Sequence, residues 1–266
     1  MRALASAAVA ALAVVAAPLV TAPRAGAAAD QFCAELHADW DGQHCTTVLT
    51  SPRQAQRVIS VGLPGALLDD PTAGPVVRDF YRQLMDGWRS SGTDSLRDTR
   101  AYAYYELHAG PGPVQSLVVH EVLEPYGMQP NNAFRTFVFD MQRGTRLTLP
   151  DVFKHGVDPA AVIPSVGAPE LTAALDNAAP PHAPNTYPFT LAEFTPGPNG
   201  PGYSGNYRTF ALTPEHLVLF MPGTPLLRED PQPPDRVVWS MDGGAATARI
   251  PLSSLADALR PEYGGH

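Results

Sequence analysis

An α+β fold, an antiparallel sheet with one main helix packed on a face, is what three features of this sequence predict. Val76, Phe80, Leu84 and Trp88 recur every four residues with Val77 and Tyr81 beside them, the apolar stripe of a surface helix. From Thr99 to Ile250, segments that alternate apolar and polar residues follow one another between Gly, Pro and Asn, as consecutive strands do. The chain carries 29 prolines and 22 glycines in 266 residues, which leaves room for short strands and few helices.

Residues 1–29 read as an export signal: Arg2, an apolar run from Ala3 to Val20, then small residues that offer a cut after Ala27 or Ala29. An uncleaved membrane anchor is the rival reading, since that run is near the minimum length for a bilayer span. Removing Arg2 and Arg24 leaves 16 basic against 26 acidic residues, so the net charge moves from -8 for the whole chain to -10. Such a balance argues against nucleic acid and anionic membrane surfaces and favours a basic partner. Residues 30–266 are expected to form one secreted domain, a monomer, extracellular or held at the cell envelope.

Cys33 and Cys45 are the only cysteines, and in an oxidising compartment they are expected to pair. A metal site with His37 and His44 is the alternative, but its spacing is not that of zinc sites, and no metal or cofactor is expected. Val58 to Leu63 alternates as a strand. Asp69-Asp70-Pro71 then offers a helix start, and Gly92 a C-cap for the long helix.

Thr99 to His108 and Gln115 to Glu124 read as two strands around Gly110-Pro111-Gly112-Pro113. The next strand places Ala133, Arg135, Phe137 and Phe139 on one face and Phe134, Thr136, Val138 and Asp140 on the other, so it is an inner strand. Gly144 is free to take a positive φ in the turn, Arg146 to Leu149 returns antiparallel, and Pro150 opens a short helix. A second amphipathic segment from Asp158 to Asn177 should be kinked by Pro164 and Pro169, with Leu171 and Leu175 inward.

From 178 to 203 the composition turns to proline and glycine with Glu193 as the one charge, which predicts an extended surface insertion. Tyr207 to Leu212 and His216 to Met221 form a hairpin, Arg236 to Met241 and Ala246 to Ile250 are further strands, and Leu252, Leu255 and Leu259 line a last helix.

The motifs of common hydrolases are missing. Gly202-Tyr203-Ser204-Gly205 lacks the spacing of a nucleophile elbow, and there is no H-E-x-x-H, no phosphate-binding glycine loop and no C-x-x-C. Ser116, Ser165 and Ser204 remain the serines to test for ester hydrolysis. His108 and His120 are expected on solvated strand faces, with no register readable from the sequence that brings them together. Asp69/Asp70 and Glu229/Asp230 sit beside prolines in loops, where a helix start and a solvated surface account for them. Tyr187, Phe189, Phe194, Tyr203 and Tyr207 lie in or beside the insertion, and exposed aromatics there are suited to stacking on sugar rings or anchoring a protein.

The turn Gly127-Met128-Gln129-Pro130, the strand ending Phe139-Asp140, Gly144, Leu147-Thr148-Leu149 and Asp151-Val152-Phe153 together resemble one known family. It is the extracytoplasmic domain shared by a secreted mycobacterial immunogenic protein and the anti-sigma-V factor that senses lysozyme. Gln129 stands where that family's turn carries histidine. Phe32-Cys33 with Cys45 and the segment from Phe210 to Pro251 are similar to the same family. The resemblance implies a β-grasp-like part over about 115–260, exposure to host or envelope, and a non-enzymatic role in which loops recognise a basic protein such as lysozyme, or an envelope glycan. It also implies a rival activity, since some relatives are carboxylesterases acting on short-chain esters. Binding is expected at the insertion and the neighbouring turn, through Tyr126, Gln129, Asn131, Asn132, Tyr187, Phe189, Phe194, Tyr203 and Tyr207.

Overall fold

The computed structural model describes residues 25–124, 131–197, 205–222 and 246–266. Its N-terminal half runs α1 (Ala25–Glu35), β1 (Asp39–Trp40), β2 (His44–Thr50), β3 (Gln56–Gly62), α2 (Gly65–Leu68), α3 (Gly74–Gly92), β4 (Thr99–Ala109), β5 (Val114–Glu124), β6 (Asn131–Asp140) and β7 (Thr145–Leu147). These strands form one seven-stranded sheet in sequence order. Cys33 and Cys45 are joined by a disulfide, so neither is left to ligate a metal. Helix α1 passes through both expected cut positions, with Ala28 and Ala29 buried.

The sheet is not wholly antiparallel, contrary to expectation. β3 and β4 are parallel because α2 and α3 carry the chain back to the starting edge, as a parallel join requires. Asp70 leads into α3 by accepting the amides of Thr72 (2.8 Å) and Ala73 (2.9 Å). The face that α3 buries is turned from the expected stripe: Val77, Tyr81, Met85 and Trp88 are fully covered, whereas Val76 and Phe80 are only partly so. Phe80 instead sits at the margin, its ring 5.1 Å from that of Phe137.

Gly92 also differs from its expected part, since it is the last helical residue and not a left-handed cap. A Cβ there would lie 2.8 Å from Leu49 Cδ2 and 3.1 Å from Arg57 Cδ, so the glycine makes room for an arginine. Arg57 is buried and donates to the Trp88 carbonyl (2.8 Å), Ser91 Oγ (2.7 Å) and Thr99 Oγ1 (2.9 Å), closing the carbonyl end of α3 with a cation.

The rest of the described chain comprises α4 (Leu149–Val152), α5 (Pro159–Val166), α6 (Ala168–Asp176), β8 (Phe210–Leu212), β9 (His216–Met221), β10 (Ala246–Pro251) and α7 (Leu252–Leu255). The three strands form an antiparallel sheet in the order β10-β9-β8. Helix α4 begins with a capping box in which Asp151 accepts the Thr148 amide at 2.7 Å. The break between α5 and α6 falls at Gly167 and not at a proline. A Cβ at Gly167 would come within 2.6 Å of Ile250 Cδ1, so only glycine lets the helices pass over β10. The expected strand Arg236 to Met241 lies outside the described residues.

β5 and β6 are walls between two cores. Leu117, Val119, Phe137 and Phe139 face α3, while Val114 and Val138 join Val152, Ile163, Leu171, Leu219 and Ile250 on the other side. β8 is fastened across this second face by two hydroxyls. Ser116 Oγ accepts the Leu212 amide (2.9 Å) and donates to its carbonyl (3.1 Å), and Thr136 Oγ1 accepts the Phe210 amide (3.1 Å).

The proline-rich segment is not an extended surface insertion where it is described. Phe189 and Phe194, together with Tyr207 just beyond it, are buried in the second core. Local turns, with Phe189 N bonded to Thr186 O (2.8 Å) and Phe194 N to Thr190 O (3.3 Å), satisfy the backbone, and a segment so poor in charge has little to keep it in water.

Candidate functional site

A groove of about 1040 Å³ opens along the outer edge of β6. Its floor is Phe134 to Val138. One wall is the end of β7 and the start of α4, with Ala160 and Ala161 from the first turn of α5, and the other is Pro196 and Gly197 with Asn206, Arg208, Thr209 and Phe210. The sequence sets this shape locally, because Pro150 and the Thr148 capping box turn the chain into α4 after only three residues of β7. β7 therefore pairs with Val138, Phe139 and Asp140 alone, while β5 pairs along the whole of β6.

The groove is cationic inside an acidic chain. Arg146 lays its guanidinium 4.7 Å from the centre of the Phe137 ring, and burial of that group pushes its pKa down although the residue as a whole is exposed. Among the described residues Arg146 makes no ion pair. Arg135 donates through Nε to Glu121 Oε1 at 3.1 Å, and Glu121 is buried, so that pair is fixed in place. Arg208 lines the opposite wall, and Asp158, the one carboxylate of the lining, caps α5 by accepting the Ala160 amide at 2.9 Å. The arrangement offers cationic hydrogen-bond donors, strand backbone and apolar walls, which suits holding a ligand by shape and charge.

The expected site residues are not gathered at one place. Tyr126, Gln129 and Tyr203 lie outside the described residues, as does the side chain of Asn131. Tyr187 is 73% exposed, as a recognition residue requires. Phe189, Phe194 and Tyr207 offer no ring to a ligand, since packing in the second core covers them, and Phe189 stacks on His182 with ring centres 4.3 Å apart.

Asn132 belongs to a column of rings on the sheet. Its Oδ1 lies 3.2 Å from His120 Nε2, and an amide oxygen only accepts, so Nε2 carries the proton and Nδ1 accepts from the Tyr104 hydroxyl. His120 stacks on Phe134, and Phe134 on Phe220. Burial is the main cause that lowers the His120 pKa, opposed by the Asn132 bond. His120 is thus packed into the sheet surface rather than solvated as expected. His108 is four ladder positions away, opposite Ser116, and the two histidines do not meet.

Ser116, His108 and Glu106 share a face, with His108 Nε2 3.2 Å from Glu106 Oε2. The serine is poorly placed to act as a nucleophile, because its hydroxyl is fully buried and spends both its donor and an acceptor on Leu212. Ser165 is exposed on α5, and Ser204 lies outside the described residues. Arg146 and Arg208 carry no motif in the sequence that marks them as site residues. The available signal was Pro150, which cuts β7 short and leaves the arginine beside an open edge.

No helix among the described residues is long and apolar enough to cross a membrane, and no group of His, Cys, Asp and Glu side chains among them is placed to hold a metal ion.

Among curated proteins, none matches the sequence. The family model described as mannan-binding protein matches residues 22–59, which run from α1 into the first half of β3 and hold both cysteines. A DUF3298 family member from Bacteroides fragilis has a TM-score of 0.48 at 6% identity, with 82% of this chain and 92% of that one covered. A DUF3298 family protein from Pseudomonas aeruginosa superposes with a TM-score of 0.50 at 12% identity, covering 83% of this chain and 94% of that one. In fold, though not in sequence, this chain is similar to that DUF3298 protein.

Proposed function

We propose that this chain is an exported, non-enzymatic binding domain that takes its ligand in the groove beside β6. The observation that carries the reading is the groove itself: about 1040 Å³, floored by strand backbone and lined by arginines in a chain of net charge -8. Its far wall is built by the proline-rich segment and the turn after it, the region where loop recognition is expected. The resemblance to the anti-sigma-V and immunogenic-protein family supports an extracellular or envelope location, a β-grasp-like part over about 115–260, and a basic protein such as lysozyme as one partner class. The basic surface of such a partner suits the acidic remainder of the chain, and only an acidic segment of it suits the cationic groove.

The mannan-binding match supports an envelope glycan as the other. That matched segment forms the opposite edge of the sheet from the groove, so a glycan held through it would sit elsewhere. The carboxylesterase alternative loses its best-placed serine to the Leu212 backbone.

Titration calorimetry of the mature chain with lysozyme and with mannan tests the reading. Ala161→Trp fills the groove from an exposed position on α5 and should leave the melting temperature unchanged. Binding of lysozyme is expected to weaken about tenfold or more in the variant, whereas mannan held through residues 22–59 would bind it unchanged. Lysozyme affinity that does not change in Ala161→Trp overturns the groove assignment, and turnover of nitrophenyl esters above that of heat-inactivated protein overturns the non-enzymatic reading.

A further inference from the structure

We infer that the groove is a slot for strand addition, and that its occupant is an extended segment of a partner protein carrying a carboxylate side chain opposite Arg146. This rests on the groove being the binding site and names what enters it.

The first observation is the register. β5 pairs with β6 from Asn131 to Asp140, but on the other side β7 reaches only Val138 to Asp140. Toward the groove, the backbone of Phe134 and of Thr136 has no ladder partner among the described residues. The second is the alternation of the ladder. Met141 N donates to Pro113 O at 3.1 Å, which continues the β5 register by one step and makes the odd-numbered residues of β6 those that exchange bonds with β5. The even-numbered residues then turn their amides and carbonyls the other way. Asp140 and Val138 spend theirs on Thr145 and Leu147, and Phe134 and Thr136 point theirs into the groove. An incoming strand placed end to end with β7 would find the same bonding pattern continued.

The dimensions agree. Four strand residues span roughly 13 Å, and the floor of the groove is the stretch from Phe134 to Val138. Between the arginines the walls include small or flat side chains, Pro150, Ala160 and Ala161 on one side and Pro196 and Gly197 on the other, which leave room for a peptide's own side chains.

Charge decides the kind of strand. Arg146 stands at the junction of β7 and the open edge, pinned over Phe137, with no ion pair among the described residues. Arg135 and Arg208 add to the positive field whatever else they touch. A glutamate or aspartate on the incoming strand would gain a charge-assisted hydrogen bond there, and a lysine would be repelled. The same arginines oppose edge-to-edge pairing with a second copy of this chain, which would bring like charges together.

The probe is a short fluorescein-labelled peptide that alternates valine or threonine with glutamate, followed by fluorescence anisotropy against the mature chain. Its controls are a counterpart with lysine for glutamate and two versions N-methylated on alternate residues, one on each edge of the strand. Saturable binding is expected, with a loss of about tenfold or more for Arg146→Glu and for the lysine peptide, and loss in one N-methylated version but not the other.

Equal binding of the two N-methylated versions, indifference to Arg146→Glu, or no binding of the glutamate peptide overturns strand addition. So does self-association of the chain that Arg146→Glu abolishes, which would make a second copy the occupant. If the peptide fails while Ala161→Trp still blocks lysozyme, strand addition alone falls. If Ala161→Trp does not block lysozyme, the groove falls with it.

Discussion

The hydroxyl of Tyr207 donates to the carbonyl of Phe194 at 2.7 Å, tying the chain beyond the proline-rich segment back to its middle inside the second core. Tyr207→Phe removes this buried bond and should cost about 1 kcal/mol in urea unfolding. Burial also raises the Tyr207 pKa far above the ordinary 10.0. The folded state therefore holds a proton that the unfolded state releases, so the stability present below about pH 10 is lost as pH rises beyond it. Urea melts on either side of that pH should show a smaller alkaline loss in Tyr207→Phe than in the wild type.

Phe194 is fully buried, and Phe194→Ala should destabilise by about 3 to 5 kcal/mol. Replacing residues 180–201 by a Gly-Ser linker removes both Phe189 and Phe194 from the core. A surface spacer would tolerate that change. Here a broadened or absent thermal transition is expected, read by calorimetry.

Ser116→Ala leaves the Leu212 amide and carbonyl without their partner across the sheet, at a cost of about 1 to 3 kcal/mol. Hydrolysis of nitrophenyl esters should be the same before and after the substitution, and equal to that of heat-inactivated protein. A drop in turnover without a drop in stability would make the serine a nucleophile after all.

Burial of His120 beside Phe134 lowers its pKa below the ordinary 6.5. The unfolded state then binds the proton more readily, so the group's contribution is present above pH 6.5 and is lost as pH falls through the folded value. A proton NMR titration should place the His120 midpoint below 6.5. In His120→Phe, the loss of stability between neutral and mildly acid pH should be smaller.

Reduction of Cys33–Cys45, which are 12 positions apart, should cost roughly 3 kcal/mol on the chain-entropy account. Melting temperatures with and without a thiol reductant measure it directly. An unchanged value would show that the packing of Ala28, Ala29, Phe32 and Leu36 holds α1 without the disulfide.

Much of the first sheet can be read from the chain, because Thr99 to Asp140 alternates cleanly and Gly110, Gly112 and Gly144 mark where it turns. Those signals are local. The face that α3 buries lies one step from the expected stripe, because Val76 and Phe80 fit the same periodicity as Val77 and Tyr81 and only the neighbouring elements decide between them. The parallel join of β3 and β4 depends on where α3 delivers the chain, which no strand pattern records. Phe189 and Phe194 looked exposed because prolines surround them, but proline limits secondary structure without limiting burial. At the groove, Arg146 had no motif to announce it. Its meaning comes from the early stop of β7, and that stop was legible at Pro150.

β5 and β6 give alternate side chains to two cores, so the two cores share one wall. Melting either half would strip one face of these shared strands. The two halves should consequently denature together, with the calorimetric and van't Hoff enthalpies equal in the disulfide-bonded chain. A ligand that grips the rim of β6 would then protect distant amides in β2 and β3 from hydrogen exchange as strongly as those it touches, wherever exchange proceeds through global opening.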